Sequence, residues 1–441
     1  MLHGSIWNKI LLFAIPIAAS SMLQQLFNSA DVAVVGRFAG SQALAAVGSN
    51  QPVINLLINL FVGLSVGANV VIARYIGQGR QGRIRRAVHT AVTVALISGV
   101  FLILFGFVMS RFMLELMSTP EDVIDLAVLY LRIYFSGMPF IMFYNFGSAI
   151  LRSKGDTKRP LICLLVSGVI NVLLNLFFVI VCQMGVSGVA LATVLANVIS
   201  ASMVFYFLIH EEGDLRLSPK SLSVDKRIFL DMAKIGVPAG IQGMVFSLSN
   251  VVIQTALNGF GSLAVAGSAA ALNFEFFVYF LMNAFSQAAV TFVSQNYGAG
   301  NYKRCRKIVV MCIISGVVAS TVLAGIFVAG GKWFIKIYTT DPTAVHYGLM
   351  RMQHILLFQC MNAVLDVTGG ALRGVGRSFV PAVITIAGVC GLRLLWIATV
   401  FRKNPTFEML INVYPVSWFI TAVTMIIVYL VIRKKVFCMT N

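Results

Sequence analysis

Gly77-Gln78-Gly79-Arg80-Gln81-Gly82-Arg83 and Gly298-Ala299-Gly300-Asn301-Tyr302-Lys303-Arg304 lie 221 residues apart, with glycine, glycine and arginine at matching places. The same offset carries Gly40 onto Gly261, Arg152 onto Arg373, Gly155 onto Gly376 and Pro160 onto Pro381. With one residue of slip, Pro16 meets Pro238 and Asn28 meets Asn250. Punctuation that recurs at half the chain length marks two copies of one architectural unit.

Between these turns the 441 residues are apolar, being 59% hydrophobic and 11% charged with a mean hydropathy of +0.90. Soluble domains carry roughly 25% charged residues, so a water-soluble enzyme, a disordered chain and a fibrous protein are excluded. A membrane helix needs about 20 apolar residues, and the apolar runs number twelve. In the first half they fall near 10–36, 50–76, 87–109, 124–152, 160–182 and 186–210. In the second half they fall near 229–258, 271–297, 308–330, 345–373, 378–401 and 407–432.

The net charge of +18 is spread over the loops between these runs. Counting Lys and Arg on alternate sides gives 22 on the side of the N-terminus, six on the other and five within the spans (Arg74, Arg132, Lys234, Arg351, Arg393). By the positive-inside rule both termini are expected in the cytoplasm, in a cell inner or plasma membrane. Nucleic-acid binders gather their basic residues on one folded face, so no nucleic-acid partner is expected. Ala18-Ala19-Ser20 follows an apolar run, as a signal-peptide cleavage site would. The run continues to Val35 and recurs in the second half, which argues against cleavage.

Six passes per copy is an even number, so both copies insert with the same orientation, related by an axis along the membrane normal. The predicted fold is an all-α polytopic membrane protein, twelve transmembrane helices in two six-helix pseudo-symmetric lobes around a central cleft. Residues 1–210 form the N-lobe, 211–228 a cytoplasmic linker and 229–441 the C-lobe. That architecture suits an alternating-access carrier.

Other motifs have plain readings. Gly77-Gln78-Gly79-Arg80-Gln81-Gly82 spells GxGxxG, but it follows no strand and reads as a tight turn. No GxxxxGK[ST] occurs, so an ion gradient rather than ATP is the expected energy source. Gly63 and Gly67 form a GxxxG of the kind that marks close helix packing. Seven cysteines without a CxxC, and five histidines without an HExxH pair, give no disulfide framework and no metal site. No cofactor is expected.

The carboxylates within the spans are the strongest functional signal. Of 15 acidic residues only Asp31, Glu275 and Asp366 lie well inside apolar runs. Each costs about 3 kcal/mol at the centre of a membrane helix, so such a group usually faces a cavity. Glu275 falls only four residues into its expected span, where snorkelling to the interface competes. Gln24, Asn28 and Asp31 share one face of the first span, Asn171 and Asn175 one face of the fifth, Thr193 and Asn197 one face of the sixth. Counted from the helix ends, Asp31, Asn175 and Thr193 sit about 7.5–10 Å deep. One carboxylate among amides and a hydroxyl suits a proton or a hard cation such as sodium. Phe274, Phe276, Phe277, Tyr279 and Met282 near Glu275 are candidates to line a pocket for flat organic cations.

These residues resemble the multidrug and toxic compound extrusion (MATE) family over essentially the whole chain. The resemblance is carried by Ile15-Pro16 with Asp31 fifteen residues later, Gly77-Gln78-Gly79, Asn171 through Asn175, Ser294-Gln295-Asn296-Tyr297-Gly298-Ala299-Gly300 and Gly370-Ala371-Leu372-Arg373-Gly374. It implies a secondary active antiporter, not an enzyme, that exports amphipathic and cationic organic compounds in exchange for H+ or Na+. It implies that Asp31 exchanges the coupling ion with Asn171, Asn175 and Thr193 nearby, and that Pro16 is a hinge in the first helix. Asn175 stands where many relatives carry a second Asp. Glu275 matches an acidic position of many relatives, and Asn362 stands where some sodium-coupled relatives carry an acid, with Asp366 one turn later. The expected substrate cavity comprises Gln24, Asn28, Asn197, Glu275, Asn362 and Asp366, in a functional monomer whose partners are organic cations and membrane lipid. The alternative is a flippase of the same superfamily moving a lipid-linked precursor. It should carry more arginine in its cavity, whereas Arg393 is the only basic residue near mid-span.

Overall fold

The computed structural model describes residues 1–117 and 119–437, and among the described residues there are helices, turns and loops but no strand. Cys438, one of the seven cysteines, lies outside the described residues. The first copy of the repeat comprises α1 (Ile6–Val34), α2 (Ser41–Gly77), α3 (Gln81–Leu116), α4 (Glu121–Ser136), α5 (Met138–Lys154), α6 (Lys158–Leu176) and α7 (Gly185–Ile209). The second comprises α8 (Lys226–Asn258), α9 (Ser262–Gly298), α10 (Tyr302–Ala329), α11 (Gly331–Lys336), α12 (Pro342–Leu356), α13 (Gln359–Gly374), α14 (Phe379–Thr385), α15 (Leu392–Trp396), α16 (Phe407–Ile411) and α17 (Val413–Phe437). π-helical turns extend α1 (Val35–Ala39) and α6 (Phe177–Val181) and join the pieces of the eleventh pass (Ile386–Gly391, Ile397–Phe401).

Ten runs among the described residues are long and apolar enough to cross a membrane, and two bent pairs bring the passes to twelve. The bends are 47° between α4 and α5 and 43° between α12 and α13. They fall at Gly137 and at Leu357-Phe358, again 221 residues apart, although only the first break is followed by a proline, Pro139. The second and eighth passes begin at Ser41 and Ser262, nine residues before the apolar reading put them. Their first turns are rich in Ala, Ser and Gly, which hydropathy weighs lightly. Glu275 is therefore thirteen residues into α9 rather than four, and its carboxylate is buried on Arg351.

The repeated punctuation has one physical cause. Gly79 and Gly300 both adopt positive φ (64° and 74°), a region that side chains rarely enter. After α2, Gly79 N donates to Ile76 O at 3.1 Å and Arg80 N to Tyr75 O at 3.2 Å. After α9, Gly300 N donates to Tyr297 O at 3.1 Å and Asn301 N to Asn296 O at 2.8 Å. These are the same helix-terminating bonds in both copies, and they satisfy carbonyls the ending helix would orphan. Asp341 caps α12 from the other end, its Oδ1 accepting from Thr343 N at 2.8 Å and Ala344 N at 3.0 Å.

The chain packs as two compact units. The N-unit is Ala19–Gly240, and the C-unit is Met1–Ala18 with Ile241–Asn441. The lobes read from the sequence change over in the linker. The packed units change over within α1 and α8, two residues after Pro16 and two after Pro238.

Within the N-unit the first part of α8 lies on α2 at backbone contact. A Cβ at Gly63, Gly67, Gly236 or Gly240 would meet the main chain of the opposing helix. The GxxxG of α2 thus packs against the matching Gly236 and Gly240 of α8. The linker is also held to this unit. Ser218 N donates to His89 Nε2 and Asp225 N to Thr90 Oγ1, both at 3.1 Å. Glu211, buried at the end of α7, accepts from Lys154 and from Arg159 Nη1 at 2.6 Å. Burial opposes its negative charge, but the two cations outweigh that and hold its carboxyl below the ordinary value.

Within the C-unit the start of α1 joins a large core. Ile10, Phe13, Ala14 and Ile17 are buried with Ala288, Ala289 and Phe292 of α9. The Phe13 and Phe292 rings meet edge to face with centroids 5.4 Å apart. In both units the outward faces are apolar, as at Leu104, Val108 and Leu116 of α3, which suits acyl chains rather than water.

Candidate functional site

Each unit contains a polar pocket between its helices. That of the N-unit, about 320 Å³, is lined by Gln24, Phe27, Asn28 and Asp31 of α1, Tyr134 of α4, Asn145 of α5, Ser167 and Asn171 of α6, and Thr193 and Asn197 of α7, among others. Asp31 is reached from α6. Asn175 Nδ2 donates to Asp31 Oδ1. With its amide nitrogen turned to the carboxylate, Asn171 donates to Asp31 Oδ1 at 2.7 Å and Oδ2 at 3.3 Å. Asn175 is fully buried, Asn171 nearly so, and one helical turn separates them, so both amides face one carboxylate. No Lys or Arg pairs with Asp31 among the described residues. Its negative charge rests on neutral donors alone.

The structure therefore brings Asp31, Asn171 and Asn175 into one hydrogen-bonded group and sets Gln24, Asn28, Thr193 and Asn197 around the same cavity. Thr193 is engaged differently from Asn171 and Asn175. Its hydroxyl donates to Val189 O at 3.0 Å, so toward a guest it offers lone pairs rather than a proton. Tyr134, stacked on Tyr130 at 6.1 Å, was not anticipated, because an aromatic on an apolar helix carries no sequence signal of its own.

The C-unit pocket, about 270 Å³, is lined among others by Phe246 and Asn250 of α8, Glu275 and Tyr279 of α9, Arg351 of α12, Gln359 and Asn362 of α13, Arg393 of α15, and Tyr414 and Trp418 of α17. Glu275 is held in a buried fork, with Arg351 Nε on Oε1 at 2.6 Å and Nη2 on Oε2 at 3.0 Å. Gln359 Nε2 donates to the Glu275 carbonyl at 3.1 Å. Arg393, fully buried, donates from Nη1 to Asn250 Oδ1 at 3.1 Å and lies 4.5 Å from the Tyr414 ring and 5.4 Å from the Phe246 ring.

The residues expected in one substrate cavity are thus divided. Gln24, Asn28 and Asn197 line the first pocket, Glu275 and Asn362 the second, and Asp366 lines neither. On α13 Asp366 follows Asn362 by about one turn, and its main-chain carbonyl accepts from Ser286 Oγ at 2.8 Å. The expectation that Arg393 is the sole basic residue at depth also fails, because α12 carries Arg351 into the same pocket. The signal was available, since arginine inside an apolar run is costly wherever it occurs.

A twelve-pass helical fold with a polar pocket in each unit suits a membrane transporter. The MatE family pattern matches residues 16–177 and again 238–398, and the chain belongs to that family. The two matches coincide with the two copies of the repeat. The chain is 26% identical to the "Probable multidrug resistance protein YoeA" of Bacillus subtilis (strain 168), covering 88% of this chain and 86% of that one. It is 28% identical to the "Probable multidrug resistance protein NorM" of Thermotoga maritima, covering 88% and 84%. Among solved structures, that of a MATE transporter in the straight conformation superposes with a TM-score of 0.92 at 20% identity, covering 99% of this chain and 98% of that one. The fold is that of MATE transporters, and relatives of this chain are named for multidrug resistance.

Proposed function

We propose that the protein is a secondary antiporter that exports amphipathic, chiefly cationic, organic compounds in exchange for protons or sodium ions by alternating access, with protons the favoured ion. The observation that carries this reading is Asp31, a carboxylate in a pocket, donated to by Asn171 and Asn175 and paired with no cation among the described residues. Its charge can change without breaking an ion pair. A proton or a small cation neutralises it, and a cationic substrate competes for the same negative group. Asn175 Oδ1, buried with no donor among the described residues, supplies a second oxygen at the site. Pro16, beside the point where α1 passes from one unit to the other, is the candidate hinge. The positive-inside count supports cytoplasmic termini in the plasma membrane. We take the functional form to be a monomer.

The flippase reading gains Arg351 as a second arginine, but Glu275 already neutralises it. One uncompensated cation is few for a pyrophosphate-bearing lipid. The test of the antiporter reading is drug accumulation in cells lacking other pumps, with Asp31→Asn expressed at the normal level. Accumulation should rise to that of cells without the protein. Undiminished export by the variant would remove Asp31 from the coupling.

A further inference from the structure

The two pockets are copies of one another. At the offset of the duplication, 222 residues in the first helix of each copy and 221 elsewhere, Gln24 corresponds to Phe246, Asn28 to Asn250, Asp31 to Ile253, Ile58 to Tyr279, Ile141 to Asn362, Thr193 to Tyr414 and Asn197 to Trp418. Every member of these pairs lines its own pocket. One ancestral cavity has therefore been kept twice, with its chemistry changed. The acid has become an isoleucine. Three amide or hydroxyl positions (Gln24, Thr193, Asn197) correspond to aromatic ones (Phe246, Tyr414, Trp418), and two guanidinium groups stand against one carboxylate.

That carboxylate is fully occupied. Arg351 covers both oxygens of Glu275, and no other acid lines the pocket. Arg393 is left with a single neutral acceptor, Asn250, while its Nε and Nη2 are buried without a partner among the described residues. Gln359 Oε1 is orphaned in the same way. A buried guanidinium is costly unless it is neutralised. The rings of Tyr414 and Phe246 offset part of that cost, but they leave the net charge of the site at plus one. The surrounding Phe246, Phe276, Tyr279, Tyr414 and Trp418 present flat apolar surface around that charge.

We infer that the C-unit pocket is a binding site for flat aromatic compounds bearing a carboxylate or phosphate group, with the acid group answering Arg393 and the ring lying among the aromatic side chains. The site is distinct from Asp31 and does not depend on it. It extends the range of compounds handled from cations in the N-unit to organic anions or zwitterions in the C-unit.

The test uses the full chain, purified in lipid nanodiscs, with 1-naphthoate, 1-naphthyl phosphate and the neutral 1-naphthamide as probes and tryptophan quenching or calorimetry as the readout. At least one of the two anions is expected to bind at least about tenfold more tightly than the amide, since an unpaired buried charge is worth that much or more. Comparing the two anions tells a carboxylate site from a phosphate site. Arg393→Gln should abolish that preference, Arg393→Lys should keep part of it, and Asp31→Asn should leave it intact. Equal affinity of the wild type for the amide and both anions overturns the inference without any variant having to fold. So does an anion preference that survives Arg393→Gln in monodisperse protein, or one that Asp31→Asn removes. None of these results bears on whether Asp31 couples export to an ion.

Discussion

Removing the Glu275 carboxylate should damage the C-unit out of proportion to the atoms changed. Glu275→Gln keeps the volume, yet it strips Arg351 of both charge-assisted bonds, at 2.6 and 3.0 Å. It also leaves Arg351 and Arg393 lining one pocket with no acid between them. Breaking a buried pair by taking one partner away costs about 3–5 kcal/mol. At about 2–4 °C per kcal/mol for a cooperative unit of some two hundred residues, the midpoint should fall by about 6–20 °C. Arg351→Met should be less harmful, because it leaves Glu275 with Arg393 as the remaining cation. The double variant should regain much of the loss, since it buries no new unpaired charge. Fluorescence-detected thermal melts of the four proteins in one detergent give the cycle. A midpoint within about 1 °C of wild type for Glu275→Gln, or a double variant as poor as the sum of the singles, would refute the pairing as described.

Three further outcomes follow from particular contacts. Gly63→Ala drives a methyl into the main chain at Gly240 and should cost about 1–3 kcal/mol. Gly82→Ala, with nothing within 4 Å of the added carbon, should be neutral or stabilising, and folded yield by size-exclusion chromatography compares the two. Asn175→Ala removes a donor to the Asp31 carboxylate, worth about 1.5–3 kcal/mol. It should therefore alter ion affinity about ten- to hundredfold, read from the pH or sodium midpoint of dye export. Glu211 has its folded-state carboxyl held below the ordinary 4.5 by Lys154 and Arg159 despite burial. Its stabilising contribution is full above that value and fades as the pH falls through the lower folded-state value. The melting-point advantage of wild type over Glu211→Gln should accordingly be constant near neutrality and shrink in acid. An advantage that grew on acidification would contradict the assignment.

Much of this structure was legible in the chain because a lipid environment leaves few choices. Each pass must be apolar and helical, so the apolar runs gave the number of passes, and Gly79 with Gly300 marked where passes end. Asp31, Asn171 and Asn175 could be grouped by counting residues from helix ends, since depth in a membrane is a single coordinate that rise per residue supplies. What escaped was lateral. Arg351 finds Glu275 across 76 residues of sequence, and neither helix alone says which way its charge points. The handover of α1 and α8 between units escaped for the same reason, because it is a matter of which neighbours the halves touch. The bend at Leu357-Phe358 has no proline to announce it and was recoverable only from its repeat mate at Gly137. The C-unit pocket is lined by Asn362 and not by Asp366 one turn later, a difference that depth along α13 does not tell.

The claim on which the functional account rests is that Asp31 carries the ion whose inward flow drives export. Purified protein in proteoliposomes, loaded with a fluorescent cationic dye, allows a proton gradient and a sodium gradient to be imposed separately. At least one gradient, the proton gradient being the favoured one, should drive dye movement in the wild type and none in Asp31→Asn, while both proteins still bind the dye. Equal gradient-driven transport by the two proteins would contradict it.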